Sequence, residues 1–180
     1  MSDNMYIGLT VTGPNEKITR FRETVRGRDQ HGEELTIDFK RVIPIPSEIT
    51  SPYASHFVEI ADREFRYSPS WTERNWGASS NALYTEILQD TDGVFWLQFD
   101  VEYDFPDKIM EKIVASFPQL VFEGSAFQND TEFYMSFQGR NGGFTWEEGD
   151  YKEAFDEDED EDDDDSHTPE IGADAIEIAQ

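Results

Sequence analysis

The chain has 180 residues, 37% of them hydrophobic, which suffices for one domain with accessory segments. It contains no cysteine, which excludes disulfides, thiolate catalysis and cysteine-ligated zinc. Forty acidic side chains oppose fourteen basic ones, and a formal charge of −26 disfavours nucleic acid as a direct partner and favours basic protein surfaces.

No run approaches the roughly 20 apolar residues that a membrane span needs, so no membrane association is expected. The N-terminus lacks the basic-then-apolar order of a signal peptide. These features predict a soluble, cytoplasmic protein.

The first third of the chain predicts a strand, a helix and a second strand. The strand is Tyr6–Thr12, and Asn15 is a candidate N-cap for a helix from Glu16 to about Arg26. A polar loop then leads to a short strand, Leu35–Phe39. Apolar residues alternate in the first strand and recur at helical spacing in the helix: Ile7, Leu9 and Val11, then Ile18, Phe21 and Val25.

Residues 42–82 interrupt this pattern. Val42–Ile49 is predicted to be extended, because a residue before proline is disfavoured in the helical region. A short helix around Phe57–Phe65 is one interpretation of the next stretch. Trp71–Ala82 is expected to be a loop, or a loop leading into a turn of helix.

The remaining segments predict a second strand–helix–strand unit followed by a hairpin. Apolar residues typical of strands predict Leu83–Leu88, Val94–Tyr103, Leu120–Phe127 and Glu132–Gln138. Apolar residues at four-residue spacing predict a helix from Pro106 to Phe117. Gly139–Gly143 is interpreted as a turn or linker, because neither a Lys-Ser/Thr pair nor a clear helix follows it.

Two strand–helix–strand units predict an α+β fold of the ferredoxin-like, split β-α-β kind, an antiparallel sheet with helices on one face. The domain is expected to span residues 1–146, with an insertion of about 42–82 after the second strand. Residues 147–180 are expected to form an acidic, disordered tail.

Two segments resemble the YubB-type ferredoxin-like domain family of phages and plasmids. Phe39–Ile49 is similar to that family's F-x-x-I-I-P-M-P-x-E-L segment, and Asn75-Trp76-Gly77 followed by Asn81-Ala82 is similar to its N-W-G-T-K-x-x-A loop. The resemblance covers about Tyr6 to Gly139. It implies the fold and an origin on a mobile element, but no particular reaction. Ser79 and Ser80 stand where the family often has a basic and an aromatic residue, and the acidic tail is outside its pattern.

An uninterrupted acidic run is the first candidate binding segment. Its members are Asp156, Glu157, Asp158, Glu159, Asp160, Glu161, Asp162, Asp163, Asp164 and Asp165. It could be a solubilising tail, or a polyanion that imitates a nucleic-acid backbone and occupies a basic cleft. Divalent-cation binding is the weakest alternative, because the run has no glycine at which a coordinating loop could bend.

Asp100, Glu102 and Asp104 are the second candidate, at alternate positions of the strand Val94–Tyr103. Alternation places all three along one face of a sheet or its rim, about 6.6 Å apart, a spacing close to that of the phosphates along a nucleic-acid strand. An ordinary solvated strand face is the competing interpretation.

Asn75, Trp76 and Gly77 could form a structural anchor or a ligand-stacking site. The three histidines are scattered and form no metal-ligand spacing with acidic residues, and no nucleophile–base set is recognisable, so no metal, cofactor or enzymatic activity is predicted.

These features predict a non-enzymatic interaction protein of a phage or plasmid, an anti-defence DNA mimic of the anti-CRISPR or anti-restriction kind. Its carboxylates would inhibit a basic nucleic-acid-binding protein or complex of the host. The alternative is a ferredoxin-like module that binds nucleic acid or a small ligand, with the tail only a solubiliser. The sequence does not determine the oligomeric state.

Overall fold

The computed structural model describes residues 4–29, 31–47 and 71–155. The helix considered around Phe57–Phe65 and the acidic run Asp156–Asp165 lie outside the described residues. None of the described helices has the length and apolar composition needed to cross a membrane.

Eight strands and five helices are described. In chain order they are β1 Asn4–Thr12, α1 Asn15–Val25, β2 Gly27–Arg28, β3 Glu34–Leu35, α2 Phe39–Val42, α3 Trp71–Trp76, β4 Leu83–Thr91, β5 Val94–Glu102, α4 Asp107–Ser116, β6 Val121–Gln128, β7 Phe133–Arg140, β8 Gly143–Gly149 and α5 Tyr151–Phe155.

Six of the strands form one sheet in the order β4-β5-β1-β6-β7-β8, and every neighbouring pair is antiparallel. The prediction of an α+β fold with an antiparallel sheet is therefore confirmed. The order β4-β5-β1-β6 with its two crossover helices is compatible with a ferredoxin-like sandwich, and β7 and β8 extend the sheet beyond it.

The two faces of the sheet differ, because strand side chains alternate between them. The face covered by α1 and α4, here called the helix face, carries the core. Phe21 of α1 packs edge-on against Phe95, Phe117 and Phe122, with ring centroids 5.5–6.4 Å apart. The other face, here called the open face, carries residues of the opposite parity, such as Tyr6, Gly8 and Thr10 of β1.

The predicted strand Leu35–Phe39 is wrong. Only Glu34–Leu35 is extended there, and it pairs with Gly27–Arg28 in a separate small sheet. The chain turns into α2 because the Asp38 side chain accepts a hydrogen bond from the Lys40 backbone N–H at 3.1 Å, which caps the helix. In the six-stranded sheet, the strand that completes the first strand–helix–strand unit is β4. The insertion was predicted to follow this second strand, but it precedes it.

Two predicted local features also differ from the structure. Trp71–Ala82 begins as a helix and then becomes a loop, the reverse of the predicted order. Asn15 does not cap α1, because its side-chain oxygen accepts the Gly93 N–H at 2.6 Å and so ties the helix start to the β4–β5 turn. A sequence pattern cannot distinguish a local cap from a contact 78 residues away.

The folded part continues beyond the predicted boundary at residue 146. Asn141 and Gly142 have φ of 52° and 79°, the left-handed pair that a two-residue hairpin turn requires. The predicted turn at Gly139–Gly143 is thus the β7–β8 turn. β8 then includes Glu147, and α5 ends at Phe155. These residues were assigned to the tail because of their charge, but the ring of Phe155 among them packs against Phe127 and Tyr134 of the sheet.

Candidate acidic interaction surface

Strand register arranges the open face into rows, because directly opposite residues of antiparallel strands point to the same side. One row contains three aromatic residues and consists of Leu83, Asp100, Tyr6, Phe127, Tyr134 and Gly149. The next row has small residues between two acids and consists of Glu86, Gln98, Gly8, Ser125, Ser136 and Glu147.

Five carboxylates lie on the open face of the sheet: Glu86, Asp100, Glu102, Glu123 and Glu147. The one basic side chain on this face of the described strands is Arg140, which forms an ion pair with Glu123 at 2.5 Å. The face therefore has an excess of negative charge that runs from the β4 edge to the β8 edge.

The three predicted strand carboxylates do not all lie on one face of the sheet. Asp100 and Glu102 lie on the open face as predicted, but β5 ends at Glu102. Tyr103 adopts a left-handed conformation with φ of 66°, which turns the chain. Asp104 consequently leaves the sheet and lines a cavity on the helix face. A strand pattern that continued to Tyr103 could not reveal this turn.

Asp100 is a partly buried member of this surface. Burial raises the pKa of its carboxyl above the ordinary value of 3.8, and a hydrogen bond from the Asn4 side chain at 3.4 Å lowers it in part. The raised pKa means that the folded protein holds a proton at pH values where the unfolded chain has released it. Asp100 thus favours folding at low pH, and this advantage is lost as the pH rises through its folded pKa.

Replacing Asp100 with asparagine should therefore stabilise the protein at neutral pH. The difference in free energy of unfolding between Asp100→Asn and the native protein should grow in favour of the variant from about pH 4 to pH 7. Urea denaturation across this range measures it. Glu102→Gln removes an exposed charge from the same strand and serves as the control. A difference that shrinks as the pH rises would contradict the assigned cause.

Phe155 fixes the point from which the acidic run starts. Its ring lies on the open-face side, with its centroid 4.8 Å from that of Phe127 and 6.0 Å from that of Tyr134. The Tyr151 hydroxyl donates a hydrogen bond to the Asn129 side chain at 2.6 Å, which ties α5 to the β6–β7 turn. The residue after Phe155 is Asp156, the first acid of the run, so the described part of the chain ends beside the open face.

Basic residues are concentrated in the opposite layer. Ten of the twelve described lysines and arginines belong to α1–α4, to the small β2–β3 sheet, or to residues adjoining them. A cavity of about 320 Å³ on that side is lined by Arg22 and Arg26 among others. The open face, by contrast, carries five carboxylates and one basic side chain, Arg140. The described part of the molecule therefore has a mixed helix side and an acidic open face.

The Asn75-Trp76-Gly77 segment has the environment of a structural anchor. Trp76 is 2% exposed, and its indole N–H donates a hydrogen bond to the Ile43 carbonyl at 2.9 Å. Asn75 donates to the Trp71 carbonyl within the same helix. Gly77 has φ of 87°, and a Cβ there would lie 2.0 Å from the Asp107 carboxylate. The indole face is consequently not available for stacking on a ligand.

Sequence reasoning missed a cavity of about 500 Å³ on the helix face, at the end of the sheet that carries the β6–β7 turn. Its walls come from four separated segments, so no local pattern could have identified it. The exposed Trp146 was the one available signal. Within the described ranges, no group of three or more His, Asp or Glu side chains is arranged to hold a metal ion.

Comparison of the chain with family models, curated proteins and solved structures gives no match.

Proposed function

We propose that this chain is a non-enzymatic interaction protein that occupies the basic, nucleic-acid-binding surface of another protein. The open-face carboxylates and the acidic run would together take the place of the phosphates. The observation that carries the proposal is where the described chain ends. Phe155, the residue before the run, packs on the face that carries Glu86, Glu102 and Glu147, while most of the described basic side chains lie in the other layer.

The physical basis is electrostatic complementarity. A surface of one sign attracts a surface of the opposite sign over roughly 8–10 Å at physiological salt, and this attraction mainly increases the association rate and the selectivity. Residues 156–180 add thirteen acids and no base to an already acidic face. A protein that binds phosphates through lysine and arginine presents the matching charge.

The resemblance of Phe39–Ile49 and of the Asn75-Trp76-Gly77 loop to the YubB-type family supports two further parts of the proposal. The first is that the β4-β5-β1-β6 portion of the sheet is a ferredoxin-like domain extended by β7 and β8. The second is that the protein originates from a phage or plasmid, where inhibition of a host defence or DNA-processing protein would be its use.

Affinity capture from host lysate, at about 0.05 M and 0.5 M salt, tests the proposal with four baits. They are the full chain, a chain lacking residues 156–180, an open-face variant and a control variant. The open-face variant carries Glu86→Gln, Glu102→Gln and Glu147→Gln, and the control carries Glu16→Gln, Glu23→Gln and Glu111→Gln in the helix layer. Both triple variants remove three charges.

We expect the full chain to capture a nucleic-acid-binding protein at low salt only and to displace its DNA or RNA in a mobility-shift assay. The open-face variant or the truncation should weaken that displacement about tenfold, and the control should not. The proposal fails if capture ignores salt, if captured proteins keep their nucleic acid, or if both triple variants lose affinity equally.

One observation favours the alternative of a nucleic-acid-binding module. Tyr6 and Phe127, both half-buried, stack with ring centroids 5.1 Å apart on the open face, and aromatic rings on a sheet can stack on bases. The five carboxylates on the same face oppose this use, because they repel phosphates. A mobility shift of labelled single-stranded DNA or RNA by the chain alone would favour the module over the inhibitor.

A further inference from the structure

The cavity on the helix face combines aromatic walls with carboxylates. Its apolar lining consists of Met5, Tyr103, Phe105, Phe133, Met135 and Trp146. Its acidic lining consists of Asp104, Asp107, Glu132 and Glu148. No lysine or arginine of the described residues lines it, so its negative charge is not neutralised from within.

The aromatic walls are held in place and yet accessible. The Phe105 ring stacks on Phe144, with centroids 6.2 Å apart and planes inclined by 6°, and lies 5.2 Å from Phe137. Trp146 is 54% exposed and Tyr103 is 52% exposed. Large aromatic side chains of this kind usually bury more of their surface, so these two provide contact area that a ligand could cover.

This lining selects for a cation with a flat or apolar body. A guanidinium group can stack on the face of a tryptophan while its N–H groups donate to carboxylates in two directions. An ammonium group is a compact point charge and uses a planar wall less well. The volume of about 500 Å³ is within the range of small-ligand sites and accommodates one long side chain.

We propose that this cavity receives the side chain of an arginine from the basic partner. The charge of the lining supports a basic partner as the source, because four carboxylates line the cavity. The β6–β7 turn lines the cavity and also holds Tyr151 of α5, so an arginine in the cavity would leave its basic neighbours close to the end of the described chain. The identity of the donor rests on the proposed function, whereas the affinity of the cavity for guanidinium does not.

The test uses the full chain and three capped peptides, acetyl-Gly-Xaa-Gly-amide, in which Xaa is arginine, lysine or citrulline. Citrulline has nearly the shape of arginine but no charge. Two-dimensional NMR at physiological salt follows the indole N–H of Trp146, assigned with Trp146→Phe. We expect a saturable shift with the arginine peptide, at least fivefold weaker binding of lysine, and weaker binding still of citrulline.

Charge variants separate the cavity from the acidic run, which also attracts cations. Glu148→Gln and Glu132→Gln should each reduce the affinity for the arginine peptide about threefold or more. Glu111→Gln, an exposed charge on the outer side of α4, should leave it unchanged. Equal losses in all three variants would mean that only overall charge is sensed and would overturn the proposal.

Another result would also overturn it, namely equal binding of the citrulline or lysine peptide. If the arginine peptide fails but salt-sensitive capture with displacement of nucleic acid persists, the proposed function stands without the cavity. If the peptide binds but capture fails, the cavity's affinity for guanidinium stands without the proposed function.

Discussion

Replacing Trp76 with alanine should lower the free energy of unfolding by about 3–5 kcal/mol, the usual cost of removing a large buried aromatic side chain. The indole packs edge-on against Phe39 at 5.7 Å and against Trp71 at 6.0 Å. It also satisfies the Ile43 carbonyl. Its loss leaves a void and an unsatisfied acceptor, and it releases the segments of α2 and α3 that hold the insertion on the domain.

Urea denaturation followed by circular dichroism measures this effect. Trp146→Ala is the matched control, because it removes the same side chain from a position that is 54% exposed and should change the free energy of unfolding by no more than about 1 kcal/mol. Similar losses in both variants would contradict the anchoring role of Trp76. Conversely, a ligand that protects the Trp76 fluorescence from quenching would point to a binding role.

Truncation at two positions should give opposite results. Deletion of Asp156–Gln180 should leave the thermal unfolding transition where it is or raise it slightly, because thirteen mutually repelling acids are removed. Deletion of Glu147–Gln180 should lower the free energy of unfolding by about 2–4 kcal/mol, from lost strand hydrogen bonds and partly buried aromatic surface. It removes the β8 residues that pair with Tyr134, Met135 and Ser136, together with Phe155.

Calorimetry of the full chain and of both truncated chains distinguishes these cases. Phe155→Ala in the full chain isolates the contribution of the ring, which is 43% exposed, and should reproduce about 1 kcal/mol of the loss. Equal transitions in the two truncated chains would mean that β8 and α5 add nothing to the fold. The result also decides which truncation is suitable for binding experiments, since only a folded chain reports on the run itself.

The most regular parts of the fold could be predicted from the sequence. Alternation in β1, β5 and β7 and four-residue spacing in α4 identify these elements, because a buried face imposes its period on the chain. The same reasoning failed at Leu35–Phe39, where three apolar residues alternate but the Asp38 side chain caps a helix. It failed again at Tyr103, because a positive φ in a residue with a side chain has no signature in the hydrophobic pattern.

The candidate site divides in the same way. The acidic character of the chain and the presence of Asp100 and Glu102 on one strand face follow from residue types and alternation. The position of Asp104 in a cavity does not, and neither does the association of Phe155 with Phe127 and Tyr134. These contacts join residues that are separated by other elements, so their energy depends on the packed structure and not on local sequence.

The sequence by itself determined the α+β class, most strands and helices, the excess of acid and the location of most of it near the C-terminus. These properties depend on composition and on local periodicity, which act before the chain is packed. Tertiary structure alone decided the order of the strands in the sheet, the residue at which the folded domain ends, and which carboxylates share a face of the sheet. Strand order and cavities arise from contacts between distant segments, and such contacts are selected by total burial and hydrogen bonding over the whole domain.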